Sequence, residues 1–278
     1  DTSFRLVGFI SLRRLIMARR GEYICDIMDK NVISVQVDED IEEVAKQMRH
    51  YDFLAMPVVD DHERLVGLIT FDDIYDVIQE EATEDMYYLA NLDTDESVQS
   101  PLYRSVKLRI PWLMFNLITA LLVATTVHQF SDTISQYVAL AVMMPVVGLL
   151  GGNAGNQSLT VVVRALALGE IDLGQHWKVL LKELAVGLCN GLMIGLVIGT
   201  IAYFWYQNIW LALILVIAMT ANLLIAGLFG SMIPIILRKL NLDPALGASI
   251  FVTTATDAGG FFIFLGLATL LLHPLLAG

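Results

Sequence analysis

Hydrophobic and polar positions divide this chain into two unlike parts. From residue 110 onward, apolar residues run almost unbroken: 110–127 is 18 residues without charge, 137–163 is 27, 184–205 is 22 and 210–237 is 28. A last run, 244–272, is 29 residues long and holds one charge, Asp257. About 20 apolar residues span the core of a bilayer as a helix, so each run predicts a transmembrane helix. Before residue 110 the pattern is that of a water-soluble domain. Positions 32–37, 53–59 and 65–69 read as short strands, and Ile41, Val44, Ala45 and Met48 fall at helical spacing.

Charge sharpens the division. Residues 1–109 carry 23 of the 29 acids and 12 of the 17 Lys/Arg, whereas 110–278 carry 6 and 5. Arg104, Lys107, Arg109, Arg164, Lys178, Lys182, Arg238 and Lys239 flank the spans and all fall on one side of a five-span path. The positive-inside rule makes that side cytoplasmic and sends the C-terminus outward, in the plasma (inner) membrane. Trp112, Trp177, Trp205, Tyr206 and Trp210 lie near span ends, as aromatic belts do. A net charge of −12 argues against a nucleic-acid partner. Cys25 and Cys189 form no metal spacing, and the spans hold no nucleophile–base pair, so no enzyme is expected.

The soluble part repeats itself. Arg5-Leu6-Val7-Gly8-Phe9-Ile10-Ser11-Leu12 returns 59 residues later as Arg64-Leu65-Val66-Gly67-Leu68-Ile69-Thr70-Phe71. Each copy reads as a strand running into a helix with Ser11 or Thr70 at the N-cap. The order strand–helix–strand–strand–helix resembles the CBS domain, with the second copy whole and the first expected to survive only as its last strand and helix. That resemblance implies adenine-nucleotide binding, with ATP as candidate ligand at Phe53, Thr70 and Asp73. Thr70 and Asp73 also suit a plain capping pair. The acidic run Asp72, Asp73, Asp76, Glu80, Glu81, Glu84 and Asp85 is either a solvated helix face or a surface bridged by divalent metal.

Two features of the spans carry chemistry. Asp257 sits mid-span among Thr253, Thr254, Thr256, Gly259 and Gly260, with no Lys, Arg or His inside another span to pair with it. An acid there costs about 2.5–3.5 kcal/mol on insertion scales and points to an ion path. In the second span, Pro145 precedes Gly148, Gly151, Gly152, Asn153, Gly155, Asn156, Gln157 and Ser158, a composition expected to loosen or break the helix along a water-filled path. In the third, Gly187, Gly191, Gly195 and Gly199 make a ridge for tight packing. Carboxylate, amide, hydroxyl and backbone oxygens without His or Cys suit a hard cation, Mg2+ or Ca2+. Two copies of Asp257 across a dimer axis would supply the charge that one lacks.

These residues, together with Lys182-Glu183, Asp243-Pro244-Ala245 and the Thr253-Thr254 pair ahead of Asp257, resemble the MgtE family of magnesium transporters and channels. The resemblance implies a homodimer whose pore is lined by the second and fifth spans. Asp257 would hold the ion with help from the Thr253 carbonyl, Gly151, Gly152, Asn153 and Asn156, and Asp243 would sit at the cytoplasmic mouth. Asp52, Asp73, Asp76, Glu81, Glu84 and Asp85 become candidate cytosolic Mg2+ sensors whose occupation closes the path. The alternative is a proton- or sodium-coupled carrier of divalent cations. The expected architecture is an α-helical polytopic membrane domain of five transmembrane helices. An α+β CBS-type cytosolic domain, truncated at its N-terminus, precedes it. The expected boundaries are 1–23 (first CBS remnant), 24–90 (second CBS), 91–109 (connecting, plug-type helix) and 110–278 (pore domain).

Overall fold

The computed structural model describes residues 3–171 and 176–272. The chain forms two compact units, the first ending at Thr83 and the second beginning at Glu84. The C-terminal segment 273–278, on which the outward terminus depends, lies outside the described residues.

In the first unit, α1 (Leu12–Met17) and α2 (Ile24–Ile27) precede β1 (Val35–Gln36), α3 (Ile41–Tyr51), β2 (Ala55–Val59) and β3 (Leu65–Thr70). β1 pairs parallel to β2, and β2 antiparallel to β3 with a bulge at Val58/Val59. Asp40 caps α3 by accepting from the Glu42 amide at 2.9 Å, and Asp52 closes it in the left-handed region, φ 53°. Val44, Ala45 and Met48 bury against Val35, Met56 and Ile74, but Ile41 stays exposed at the first turn. Ser11 caps α1 as its sequence suggests.

A single helix, α4 (Phe71–Leu89), continues past Thr83 into the second unit. α4 thus runs from one unit into the next, and 91–109, expected as one helix, is not a single helix. Residues after Asn91 turn instead, because Asp93 and Ser97 bond the amides two residues on and Pro101 begins a new helix. That helix, α5 (Leu102–His128), takes in 102–109 without a break.

After α6 (Ser131–Gln136) come α7 (Val138–Ala167), α8 (His176–Tyr206), α9 (Ile209–Lys239) and α10 (Ala248–Leu272). Helices α5, α7, α8, α9 and α10 are each long and apolar enough to cross a membrane, and each covers all or most of one predicted run. α9 is central, with Leu215, Ala218, Asn222 and Ala226 fully buried, and α7, α8 and α10 pack on it. α5 buries no residue and rests on α10 through Phe115 against Phe251, ring centroids 5.7 Å apart.

α7 is unbroken through Pro145 and its four glycines, contrary to the expected broken helix. Its glycines serve close packing instead. In lipid a broken helix leaves peptide groups without partners, whereas neighbours that fill the glycine notches hold the helix together. α8 behaves as its sequence suggests. A Cβ built on Gly187, Gly191 or Gly195 would lie 2.5 Å from Leu223 O, 2.7 Å from Thr220 Cα or 2.9 Å from Val216 O of α9. Gly191→Val is therefore expected to cost about 1–3 kcal/mol through overpacking and to lower the melting temperature in detergent. Leu192→Ala, at an exposed neighbour, should leave it near that of the parent.

Candidate functional site

Asp257 stands near the middle of α10, half-buried, and no described residue hydrogen-bonds or ion-pairs with its carboxylate. Across from it is Gly148 of α7, where a Cβ would lie 3.2 Å from Asp257 Oδ1 and 2.9 Å from the Phe261 ring. The missing side chain at Gly148 is thus what lets α7 run beside the carboxylate. One turn away, Gly152 faces the Thr253 methyl, with 3.7 Å between that carbon and a built Cβ. Gly155 abuts Val252 and Thr256. Gly148, Gly152 and Gly155 form one stripe of α7 against one stripe of α10.

The donor set around this seam is all oxygen. Thr253 Oγ1 donates to Ser249 O at 2.8 Å, Thr254 Oγ1 to Ile250 O at 2.7 Å and Thr256 Oγ1 to Thr253 O at 2.9 Å. The hydroxyl protons are therefore turned back onto the helix, and the oxygen lone pairs remain as acceptors. The Thr253 carbonyl, the ligand implied by the resemblance, is itself engaged by Thr256. Asn156, one turn past Gly152, has its Oδ1 shielded from solvent with no donor among the described residues. Asn153 is exposed. Gly151 does not join the group, because it turns from α10 to meet Asn222 of α9. The structure thus sets Gly148 against Asp257 and Gly152 against Thr253, with Asn156 one turn past Gly152 on α7.

Asp243 lies between α9 and α10, its Oδ1 accepting from the Ala245 amide at 2.6 Å. Within the second unit the end of α4 docks nearby. Tyr88 and Leu89 pack with Leu159 and Val163 of α7 and with Ala245, Ala248 and Val252. Ser249 Oγ of α10 donates to Asn91 Oδ1 at 3.0 Å, with Asn91 in the left-handed region at φ 57°. The hydrogen bond to Glu84 chiefly, then burial and the nearby charges of Glu84, Asp243 and Asp93, push the Tyr88 phenol up to about 12.

The remaining predicted acids are dispersed. Asp52 ends α3, while Asp73, Asp76 and Glu81 lie along α4 before Thr83 and Glu84 and Asp85 after it. Among the described residues, no three His, Cys, Asp or Glu come together closely enough to hold a metal ion. Thr70 donates to Asp73 Oδ2 from its amide (3.1 Å) and its hydroxyl (2.5 Å), which holds that carboxyl below the usual range. This is the capping pair. Phe53 stacks on Tyr51 with centroids 5.3 Å apart. Strand register places Phe53 and Thr70 at one end of the sheet, but their groups already serve one another or a neighbour.

A family model described as "Divalent cation transporter", that of MgtE, matches residues 144–267, and a CBS domain model matches 24–80. The magnesium transporter MgtE of Enterococcus faecalis is 38% identical over 273 residues, covering 98% of this chain and 60% of that protein. That of Thermus thermophilus is 39% identical over 277 residues, covering 98% and 61%. Residues 144–267 thus match an MgtE-type domain. The chain spans about three fifths of the length of those relatives. A solved structure described as the soluble part of a magnesium transporter is 51% identical and covers 30% of this chain and 32% of its own, at a TM-score of 0.29. The chain is a polytopic helical membrane protein with a CBS-type domain ahead of its spans.

Sequence reasoning missed three features of this chain. Tyr88 and the Asn91–Ser249 bond carry no local signature, since their partners lie up to 158 residues away. Glu183 is buried and accepts from Ser158 Oγ at 2.6 Å, and an acid at the edge of a 22-residue apolar run was the available signal. For Tyr88 the sign is clear. The fold favours the neutral phenol, so its contribution is whole below pH of about 10 and is lost as pH rises through about 12. The difference in phenolate absorbance between the parent and Tyr88→Phe should titrate near 12, and a midpoint near 10 would contradict the Glu84 bond.

Proposed function

We propose that this chain carries a hard divalent cation, Mg2+ above all, across the membrane along the seam of α7 and α10. The observation that carries the reading is Asp257, a carboxylate inside an apolar bundle that no described residue neutralises or hydrogen-bonds. Intramembrane acids are costly and are ordinarily matched by a partner charge, a proton or a transported ion. The oxygen-only surroundings favour Mg2+ or Ca2+ over softer metals. Mg2+ keeps several waters and binds through one or two carboxylates. A homodimer with Asp257 from each copy facing the axis supplies two. Support also comes from the names of the relatives, which are magnesium transporters.

The eight flanking bases put the CBS-type domain in the cytoplasm. Closure by cytosolic Mg2+ is part of the proposal. An ion that binds the closed state better shifts the population toward it. Since the described acids of one chain make no three-residue metal group, such sensing draws ligands from both copies. The end of α4, seated on α7 and α10 beside Glu84 and Asp243, is the element by which closure would reach the path.

The test is Mg2+ influx into liposomes holding the chain, with Asp257→Ala and Asp257→Asn beside it. Influx in the parent and background flux in both folded variants is the expected result. Equal influx in parent and variants would remove Asp257 from the path. Influx that follows membrane potential and ignores pH fits a channel, whereas pH-dependent influx would move the reading to a proton-coupled carrier.

A further inference from the structure

Asn222 of α9 is fully buried and lies behind the α7–α10 seam. Its Nδ2 donates to the Val147 carbonyl of α7 at 2.9 Å. The flat amide is held between two glycines. On the α10 side, a Cβ at Gly260 would lie 2.6–2.7 Å from Asn222 Cγ, Nδ2 and Oδ1. On the α7 side, a Cβ at Gly151 would collide with Nδ2. Both helices are notched where this one side chain enters.

The contacts flank the carboxylate of the proposed path. Val147 adjoins Gly148, whose backbone lies beside Asp257 Oδ1, and Gly260 is three residues past Asp257. Asn222 Oδ1 meets no donor among the described residues. A buried acceptor without a donor weakens a fold, so this amide is a poor choice for stability alone. Its flat shape and its single donated bond suit it to setting a distance.

Resting on the reading of Asp257 as ion ligand, we propose that Asn222 is a positioning residue. It fixes the spacing and rotation of α7 against α10 beside Asp257, and so the size of hydrated cation that the path accepts. It does not touch the ion.

The test compares Asn222→Ala, Asn222→Ser, Gly260→Ala and the double variant Asn222→Ala/Gly260→Ala with the parent in liposomes. Asp257→Ala runs alongside, and folding is checked by size-exclusion and melting in detergent. Asn222→Ala, or Asn222→Ser if the first fails to fold, should shift the Ca2+ to Mg2+ influx ratio by about fivefold, as for a residue that acts on a site through its neighbours. Gly260→Ala should lose Mg2+ influx because its methyl displaces the amide. The double variant, which removes the obstructing amide, should regain most of that loss. A merely structural role would lower the amount of folded protein without changing the ion ratio. With Asp257→Ala silent, an unchanged ratio at Asn222, or a double variant no better than Gly260→Ala, overturns this proposal alone. Full influx in Asp257→Ala overturns the underlying reading instead.

Discussion

A carboxylate in a bilayer needs a partner, and among the described residues none fills that role for Asp257. Transfer of an acid to the middle of a span costs about 2.5–3.5 kcal/mol on insertion scales. That is comparable with the whole of one strong charge-assisted hydrogen bond. No base lies in the other apolar runs. α7 passes the carboxylate at Gly148, where it presents backbone and no side chain. The seam therefore keeps Asp257 reachable while walling it with Phe261 and the threonines of α10.

Such a seam holds only if the helices stay close without hydrophobic drive, since lipid is as apolar as the side chains it would displace. Glycine stripes on α7 and α8 allow the approach, and interhelical polar contacts fix it. Asn222 to Val147 O, Ser158 to Glu183, and Arg238 Nη1 to Leu166 O at 2.8 Å tie α7 to α9, α8 and α9 again. Polar contacts of this kind are worth about 0.6–2 kcal/mol each in membranes, so the three together match the cost of the unpaired acid. The Arg238 bond adds a second donor to a carbonyl at the C-terminus of α7 that also accepts from the Gly169 amide at 3.1 Å.

How much of this the chain announces depends on the range of the interaction. Hydropathy locates all five membrane helices, because length and apolarity are local properties. The strand–helix order of the first unit follows from short-range alternation, and the caps at Ser11 and Asp73 from local bonds. Where local propensity and the solvent conflict, propensity misleads. Glycines and a proline suggest a break in α7, yet the low-dielectric surroundings enforce the helical hydrogen bonds and use the glycines as notches. The helix bounds at 91–109 differ for a related reason: α4 continues through its like-charged pairs to Leu89, while Asp93, Ser97 and Pro101 mark the turn that follows. Asp257 was legible as an oddity of type and place. Its juxtaposition with Gly148, the insertion of Asn222 between Gly151 and Gly260, and the docking of Tyr88 depend on helix rotation, which no single run encodes.

The central claim is that a divalent ion meets Asp257 at the α7–α10 seam. Anomalous diffraction from crystals of this chain grown with Mn2+, a hard ion with strong anomalous signal, tests it most directly. The account predicts a membrane-level peak facing the Asp257 carboxylates, at a distance that leaves room for bound water, and its loss in Asp257→Ala. Peaks confined to the cytosolic acids, with none beside Asp257 in the parent, would contradict it.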